Sequence, residues 1–222
     1  MINPISAIHE RMILNRRFQT LAQQLAPLLP TGASVLDVGC GDGKMAAELM
    51  RKRADCRIKG LDVLVRPETA IPVQAFDGVK IPEADGSVDA VLFVDVLHHT
   101  DDPIVLLREA ARVARKCVII KDHVREGFAA GPILRAMDWV GNSRFGVRLP
   151  YLYWNTHEWN RGFAAAGLRR ERWTRAVKLY PAPITWLCDR GLHVIAVLTP
   201  ALSEITPARL HQDGPDVRQC AR

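Results

Sequence analysis

The stretch VLDVGCGDG, Val35 to Gly43, sets an acid, Asp37, two residues ahead of glycines at 39, 41 and 43. Glycine removes side chains where a ligand would approach the backbone, and the N-terminus of a following helix presents unpaired N–H groups and a positive dipole end. Such a loop favours a ligand rich in acceptors. Its spacing, GxGxG, lacks the third glycine of the dinucleotide fingerprint GxGxxG. Gly43-Lys44 resembles the end of a phosphate-binding P-loop, but Val38 stands where the earlier glycine would be and Met45 follows the lysine. Neither phosphate motif is met.

Two further acids narrow the choice. Asp62 lies about 20 residues beyond the loop, where a carboxylate accepts hydrogen bonds from ribose hydroxyls. Asp77, in Phe76-Asp77-Gly78, is placed to accept from an exocyclic adenine amine while Phe76 or a neighbouring apolar side chain flanks the ring. Asp37 lies close to where an ammonium group would sit. Ribose, adenine and a cationic amino-acid end together describe S-adenosylmethionine better than NAD.

The elements that must position these groups are legible from periodicity. Apolar residues at Ile5, Ile8, Met12, Phe18, Leu21, Leu25 and Leu28 predict a helix over 5–28, closed by Pro30-Thr31-Gly32. Strands are expected at Ser34–Val38, Arg57–Asp62, Pro72–Phe76, Val88–Val94 and Cys117–Lys121. Helices are expected over about 44–54 and from Asp102-Pro103 to about Arg115. This alternation indicates an α/β fold, Rossmann-like, with a mainly parallel sheet covered by helices on both faces. Further on, Gly127 to Asn160 loses a steady period and gathers aromatics. It reads as an insertion with a helix near 130–141 and a lid-like loop. A helix over Thr156–Ala166 with a weak Thr-His-Glu-Trp cap, and strands over Leu168–Leu179 and Leu192–Leu198 about the turn Tyr180–Pro183, complete the order. In outline, 1–30 is a helical segment, 31–199 the binding domain with its insertion at about 124–160, and 200–222 a polar, flexible tail.

The motifs in combination resemble the class I S-adenosylmethionine-dependent methyltransferases, in particular the type 11 group. VLDVGCGDG is similar to the first family motif, GLDV to the acidic second, FDGVKIPEADGSVDAVLFVDVLHH to the third and fourth, and KCVIIKDH to the fifth strand. The match covers roughly 33–123 and, more loosely, the last two strands. The resemblance implies a seven-stranded sheet ending in an antiparallel hairpin, with S-adenosyl-L-methionine as cofactor. It implies cofactor contacts from Asp37, Gly39, Cys40, Gly41, Asp62, Val63, Phe76, Asp77, Gly78, Val94 and Asp95, the last two near the sulfonium. Cys40 is a common residue of the family motif, so no reactive or metal-binding thiol is expected there.

A sulfonium methyl is already activated, so transfer needs chiefly an oriented acceptor in a dry pocket, with a base only where the acceptor must lose a proton. Candidates for that role are Asp95, His98 and His99 after the fourth strand, and Asp122 and His123 after the fifth. His123, His98 and Asp95 are the leading ones. Lys121-Asp122-His123 interrupts an apolar strand where the acceptor should arrive, and Tyr151-Leu152-Tyr153-Trp154 could hold an apolar acceptor. The expected function is methyl transfer to a small molecule, with a hydrophobic or lipid-like acceptor as one candidate. The alternative is a non-catalytic S-adenosylmethionine-binding regulatory or interaction module. An NAD(P)-dependent oxidoreductase is a third reading, disfavoured by the missing glycine.

Composition bounds the partners. The net charge of +6 comes largely from dispersed arginines, and the densest run, Arg169 to Lys178, alternates with apolar residues as a solvated strand face would. VDVLHH lacks the Asn/Asp-Pro-Pro-aromatic motif of amino-methylating nucleic-acid enzymes, so no nucleic-acid partner is expected. No stretch approaches the roughly 18 uninterrupted apolar residues of a membrane span, which leaves at most peripheral membrane contact. Five scattered cysteines form no CxxC or CxxH spacing, so no disulfide framework and no metal site are expected, and a cytoplasmic location fits. The oligomeric state is open.

Overall fold

Asp37 and Asp62 end two neighbouring parallel strands, and the chain between and beyond those strands is what brings them there. The computed structural model describes residues 16–142, 150–177, 179 and 191–201. The elements, in order, are a helix α1 over 16–25, β1 (Ser34–Val38), α2 (Lys44–Lys52), β2 (Arg57–Asp62), β3 (Val73–Ala75), β4 (Val88–Val94), α3 (Pro103–Val113), β5 (Ala114–His123), α4 (Ala130–Asn142), α5 (Thr156–Ala165), β6 (Leu168–Thr174) and β7 (His193–Pro200). Short 3-10 turns stand at Ala26–Leu28 and Leu97–His99.

The strands form one seven-stranded sheet in the order β3-β2-β1-β4-β5-β7-β6. β7 runs antiparallel to both β5 and β6, and the other neighbours are parallel. The expected Rossmann-like sheet with an antiparallel C-terminal hairpin is therefore present. Strand order reverses between β1 and β4, and in open α/β sheets ligands bind beyond the carboxyl ends of the strands at such a point.

Alternation along the central strands makes two cores. Leu36, Val38, Val91 and Phe93 point to one face and pack with Leu107 and Ala110 of α3 and Trp159 and Phe163 of α5. Val35, Ala90, Leu92 and Ile119 point to the other face, under Leu21 and Leu25 of α1 and Met45 and Leu49 of α2. β4 is buried along nearly its whole length, as its uninterrupted apolar run required.

Several boundaries differ from the sequence expectation for local reasons. β5 extends from Ala114 to His123, longer at both ends, because β4 and β7 supply hydrogen-bonding partners on either side. β6 stops at Thr174 rather than Leu179, with its pairing to β7. α5 begins with a full capping box one residue earlier than the expected weak cap: the Asn155 side chain accepts from the Glu158 N–H, and Glu158 accepts from the Asn155 N–H. α3 is capped as expected, Asp102 accepting from the Ile104 N–H at 2.9 Å. Arg169 to Arg172 is exposed on edge strand β6, with Arg169 paired to Glu171 and Arg170 bonded to Asn160, as a solvated face requires. The first part of the expected N-terminal helix, the lid-like loop at 143–149, the turn at 180–183 and the tail beyond 201 lie outside the described residues.

Candidate active site

The glycine loop is tied to the end of β2 by main-chain hydrogen bonds. Gly39 N–H and Cys40 N–H both donate to the Leu61 carbonyl, at 2.7 and 3.1 Å, and Gly43 N–H donates to the Cys40 carbonyl at 2.9 Å. All three glycines have left-handed backbones, with φ of 75°, 59° and 73°. Their surroundings separate their roles. A Cβ at Gly39 would sit 2.6 Å from Val96, and one at Gly43 would sit 2.5 Å from Ile71, whereas a Cβ at Gly41 would meet nothing within 4 Å. Gly39 and Gly43 are therefore demanded by protein neighbours, and Gly41 is the position where a ligand can come up to the backbone.

Asp37 is 1% exposed, and its Oδ1 has no hydrogen-bond partner. Burial, with the charge of nearby Asp62, pushes its pKa up to about 7. A buried carboxylate oxygen without a partner is costly, and a bound cation or donor removes that cost. Asp62 braces the loop: its Oδ2 accepts from Gly41 N–H at 2.7 Å and its Oδ1 from Leu64 N–H at 2.8 Å. Each carboxylate oxygen has two lone pairs, so both retain capacity for ribose hydroxyls. Asp77 is exposed, and its Oδ1 accepts from Val79 and Lys80 N–H at 2.8 Å each, which lowers its pKa. Around it Val63, Leu64, Val65 and Val79 are exposed apolar side chains, and Val63 approaches Gly78. That is an apolar lip for a flat ring, and Phe76, partly buried, packs against the core behind it. Burial and the Asp37 charge push the Cys40 thiol up to about 12, so it is inert.

Beyond Val94 the carboxyl rim holds a buried polar cluster. Asp95 adopts φ 56°, rare for a residue with a side chain. Its Oδ1 meets the Lys121 ammonium, and its Oδ2 accepts from Arg17 of α1 at 2.8 Å. Burial alone would raise its pKa; Lys121 and Arg17 overcome that and hold it well below the usual range. His98 lies between two acids, with Nδ1 2.5 Å from Asp122 and Nε2 3.2 Å from Asp138 of α4. Burial opposes its charge, but Asp122 and then Asp138 push its pKa up to about 10. His123 lies 3.7 Å from Asp95 through Nε2, and its Nδ1 has no partner. Burial, then the charges of His98 and Lys121, keeps it neutral.

Within Lys121-Asp122-His123 the three side chains have different surroundings. Lys121 and Asp122 are wholly buried and hold Asp95 and His98, rather than meeting an acceptor directly. Asp122 also accepts from Leu97 N–H at 2.9 Å and His123 N–H at 2.7 Å, which locks the ends of β4 and β5 together. Of Tyr151–Trp154, Tyr153 joins the cluster, donating to Asp138 at 2.6 Å, while Trp154 packs on Trp159. Sequence reasoning passed over Arg17, Asp138 and His193. Each comes from an element distant in the chain, and only the apolar stripe around Asp138 could have drawn attention to it.

The profile of a family described as a methyltransferase domain matches residues 9–170. A 27-O-demethylrifamycin SV methyltransferase of Amycolatopsis mediterranei is 29% identical over 121 residues, which are 48% of this chain and 44% of that protein. A ubiquinone biosynthesis O-methyltransferase of Aliivibrio fischeri is 30% identical over 96 residues, 38% of this chain and 40% of its own. Each alignment spans less than half of the relative's length. Among solved structures, a methyltransferase in complex with the Haloferax volcanii Trm112 activator superposes with a TM-score of 0.65 at 18% identity, covering 86% of this chain and 93% of that one. It shares the fold.

Proposed function

The chain belongs to the class I S-adenosylmethionine-dependent methyltransferases, and from that premise we propose that it transfers a methyl group from this donor to a hydroxyl of an apolar small molecule. The observation that carries the reading is Asp37: a fully buried carboxylate with an unpartnered oxygen, beside an open glycine, suits a cationic ligand with an ammonium end. The names of both relatives specify oxygen.

In this reading Asp37 answers the ammonium, and Gly41 lets the ligand lie against the loop. Asp62 accepts from the ribose, and Asp77 with Val63, Phe76 and Gly78 receives the adenine. Val94 and Asp95 border the reacting end. S-adenosylmethionine, when bound, supplies a methyl group already activated on a positively charged sulfur. Asp95 is compensated by Lys121 and Arg17 and shaped by its left-handed backbone, so it positions rather than accepts a proton. His98 carries both its protons between Asp122 and Asp138 and is not the base in this state. His123, neutral and with Nδ1 open, is the group that can accept a hydrogen bond from an acceptor hydroxyl. Leu134, Tyr153 and Leu192 form an apolar wall under α4 that excludes water.

Calorimetric titration with S-adenosylmethionine and its demethylated product tests the binding, and incubation of cell extract with isotope-labelled donor tests transfer. A single labelled product carrying a new O-methyl group is expected. Donor binding with no turnover on any acceptor would support a non-catalytic binding module, and NADH binding in place of the donor would overturn the reading.

A further inference from the structure

We infer that His98, His123 and Asp138 form a binding site for one divalent first-row transition ion of the zinc class. The three come from the turn after β4, the end of β5 and the middle of α4, and one donor atom from each lies within 4.8 Å of the others. All three are at least nine-tenths buried, at 2%, 5% and 4% exposed.

Two imidazoles and one carboxylate are a donor set that suits zinc and its neighbours, and too few oxygens are present for calcium or magnesium. His98 Nε2 and Asp138 Oδ1 are 3.2 Å apart. Two ligands each about 2.05 Å from a tetrahedral ion stand roughly 3.3 Å apart, so this pair already has the spacing of a shared ion. His123 brings a buried Nδ1 with no hydrogen-bond partner, and one of its ring nitrogens lies within 4.8 Å of the other two donor atoms.

The surrounding groups are those that orient ligands. Asp122 holds His98 Nδ1 at 2.5 Å, which leaves Nε2 as the coordinating atom, and Tyr153 donates to the far oxygen of Asp138 at 2.6 Å. The His123 main chain is fixed on both sides, its N–H to Asp122 and its carbonyl to the Trp159 indole. Ala130, Leu134 and Leu192 close the site with apolar surface. His98 Nε2 and Asp138 Oδ1 face each other across 3.2 Å, and the ion would stand between them. No cysteine or histidine spacing announces the site, because its ligands are separated by 25 and 15 residues and meet only through the sheet and α4.

Three protein ligands leave a position open for an exogenous oxygen. In the methyl-transfer reading an ion on His123 would take the place of that residue's hydrogen bond to the acceptor hydroxyl, and the open position is where the hydroxyl oxygen would be held and acidified. Only this last step rests on that reading.

The test uses the full chain, stripped with a chelator, and titrated with Zn²⁺ against a chromophoric chelator and with Co²⁺ followed by its visible spectrum. One equivalent of each ion is expected, with X-ray absorption of the loaded wild type showing imidazole and oxygen ligands and no sulfur. His123→Ala and Asp138→Ala should each weaken uptake by about 100-fold or more, and Asp122→Asn by roughly 10- to 100-fold. His157→Ala, on the exposed start of α5, should leave it unchanged. No uptake, sulfur ligation, or uptake unchanged in a folded His123→Ala protein overturns the site; the wild-type spectrum decides if the variants unfold. Titration of the same stripped protein with S-adenosylmethionine separates the two readings: donor binding without metal uptake overturns the metal site alone, and metal uptake without donor binding overturns the methyl-transfer reading alone.

Discussion

Lys121, wholly buried in β5, delivers its ammonium to the Asp95 carboxylate at the end of β4, and Arg17 occupies the second oxygen of the same carboxylate. Two neighbouring strands and the N-terminal helix are thereby joined through one residue whose backbone is left-handed. Burying the ammonium costs desolvation that its attraction to the partly exposed Asp95 must offset, and removing Lys121 leaves Asp95 with Arg17 alone. Lys121→Met is therefore expected to lower stability by about 1–3 kcal/mol in urea unfolding. Combining it with Asp95→Asn should recover part of that loss. Arg17 is more exposed, so Arg17→Ala should cost no more than about 1 kcal/mol.

If Asp37 answers the donor's ammonium as proposed, stability and donor affinity should depend on pH in opposite senses. Its pKa is raised from 3.8 to about 7, so the unfolded chain gives up the proton at lower pH than the folded one. The folded state then binds more protons across that window, and stability falls as pH rises from about 4 to 7 and levels off above it. Asp37→Asn should flatten that slope and raise the thermal midpoint of the ligand-free protein at pH 8, with little gain at pH 4. In the wild type, donor affinity should climb over the same window as the carboxylate ionises, and the Asn variant should bind weakly at every pH. A pH-independent difference between the two proteins in calorimetry would refute the assignment.

The loop glycines should respond differently to alanine. Gly41→Ala finds open space and bears chiefly the left-handed backbone strain, roughly 1–2 kcal/mol, so the protein should fold and lose donor affinity by more than tenfold. Gly39→Ala and Gly43→Ala add collisions with Val96 and Ile71, so their thermal midpoints should fall well below that of Gly41→Ala. Equal loss of stability at all three positions would contradict the division of roles.

Asn155 starts α5 and is remote from the glycine loop. Asn155→Ala removes one half of a capping box and should destabilise by about 1 kcal/mol, within a range of roughly 0.5–2. Donor affinity should be unchanged, which calorimetry on the folded variant would check.

Much of this was readable along the chain. The α/β alternation, the glycine loop and the acids at the ends of β1 and β2 and after β3 all lie in local sequence, because strand and helix periods and turn residues act over a few positions. The parallel core was visible in Val88–Val94 for the same reason. Lys121-Asp122-His123 stands out in the sequence as a polar break in an apolar strand, but the partners of Lys121 and Asp122 are Asp95 and His98, from outside that strand. Polar residues inside a strand announce that something charged is buried, not which partners neutralise it.

The sequence by itself determined which family's loop this is, where the acids at the ends of β1 and β2 and after β3 stand, and that a mainly parallel sheet would close with an antiparallel hairpin. The tertiary structure alone decided that Asp95 is compensated from β5 and α1, that His98 is shared between Asp122 and Asp138, and that His123 keeps an open nitrogen beside them. Charge, protonation and coordination depend on distances between groups tens of residues apart, and the chain acquires those distances only when β4, β5 and α4 pack together.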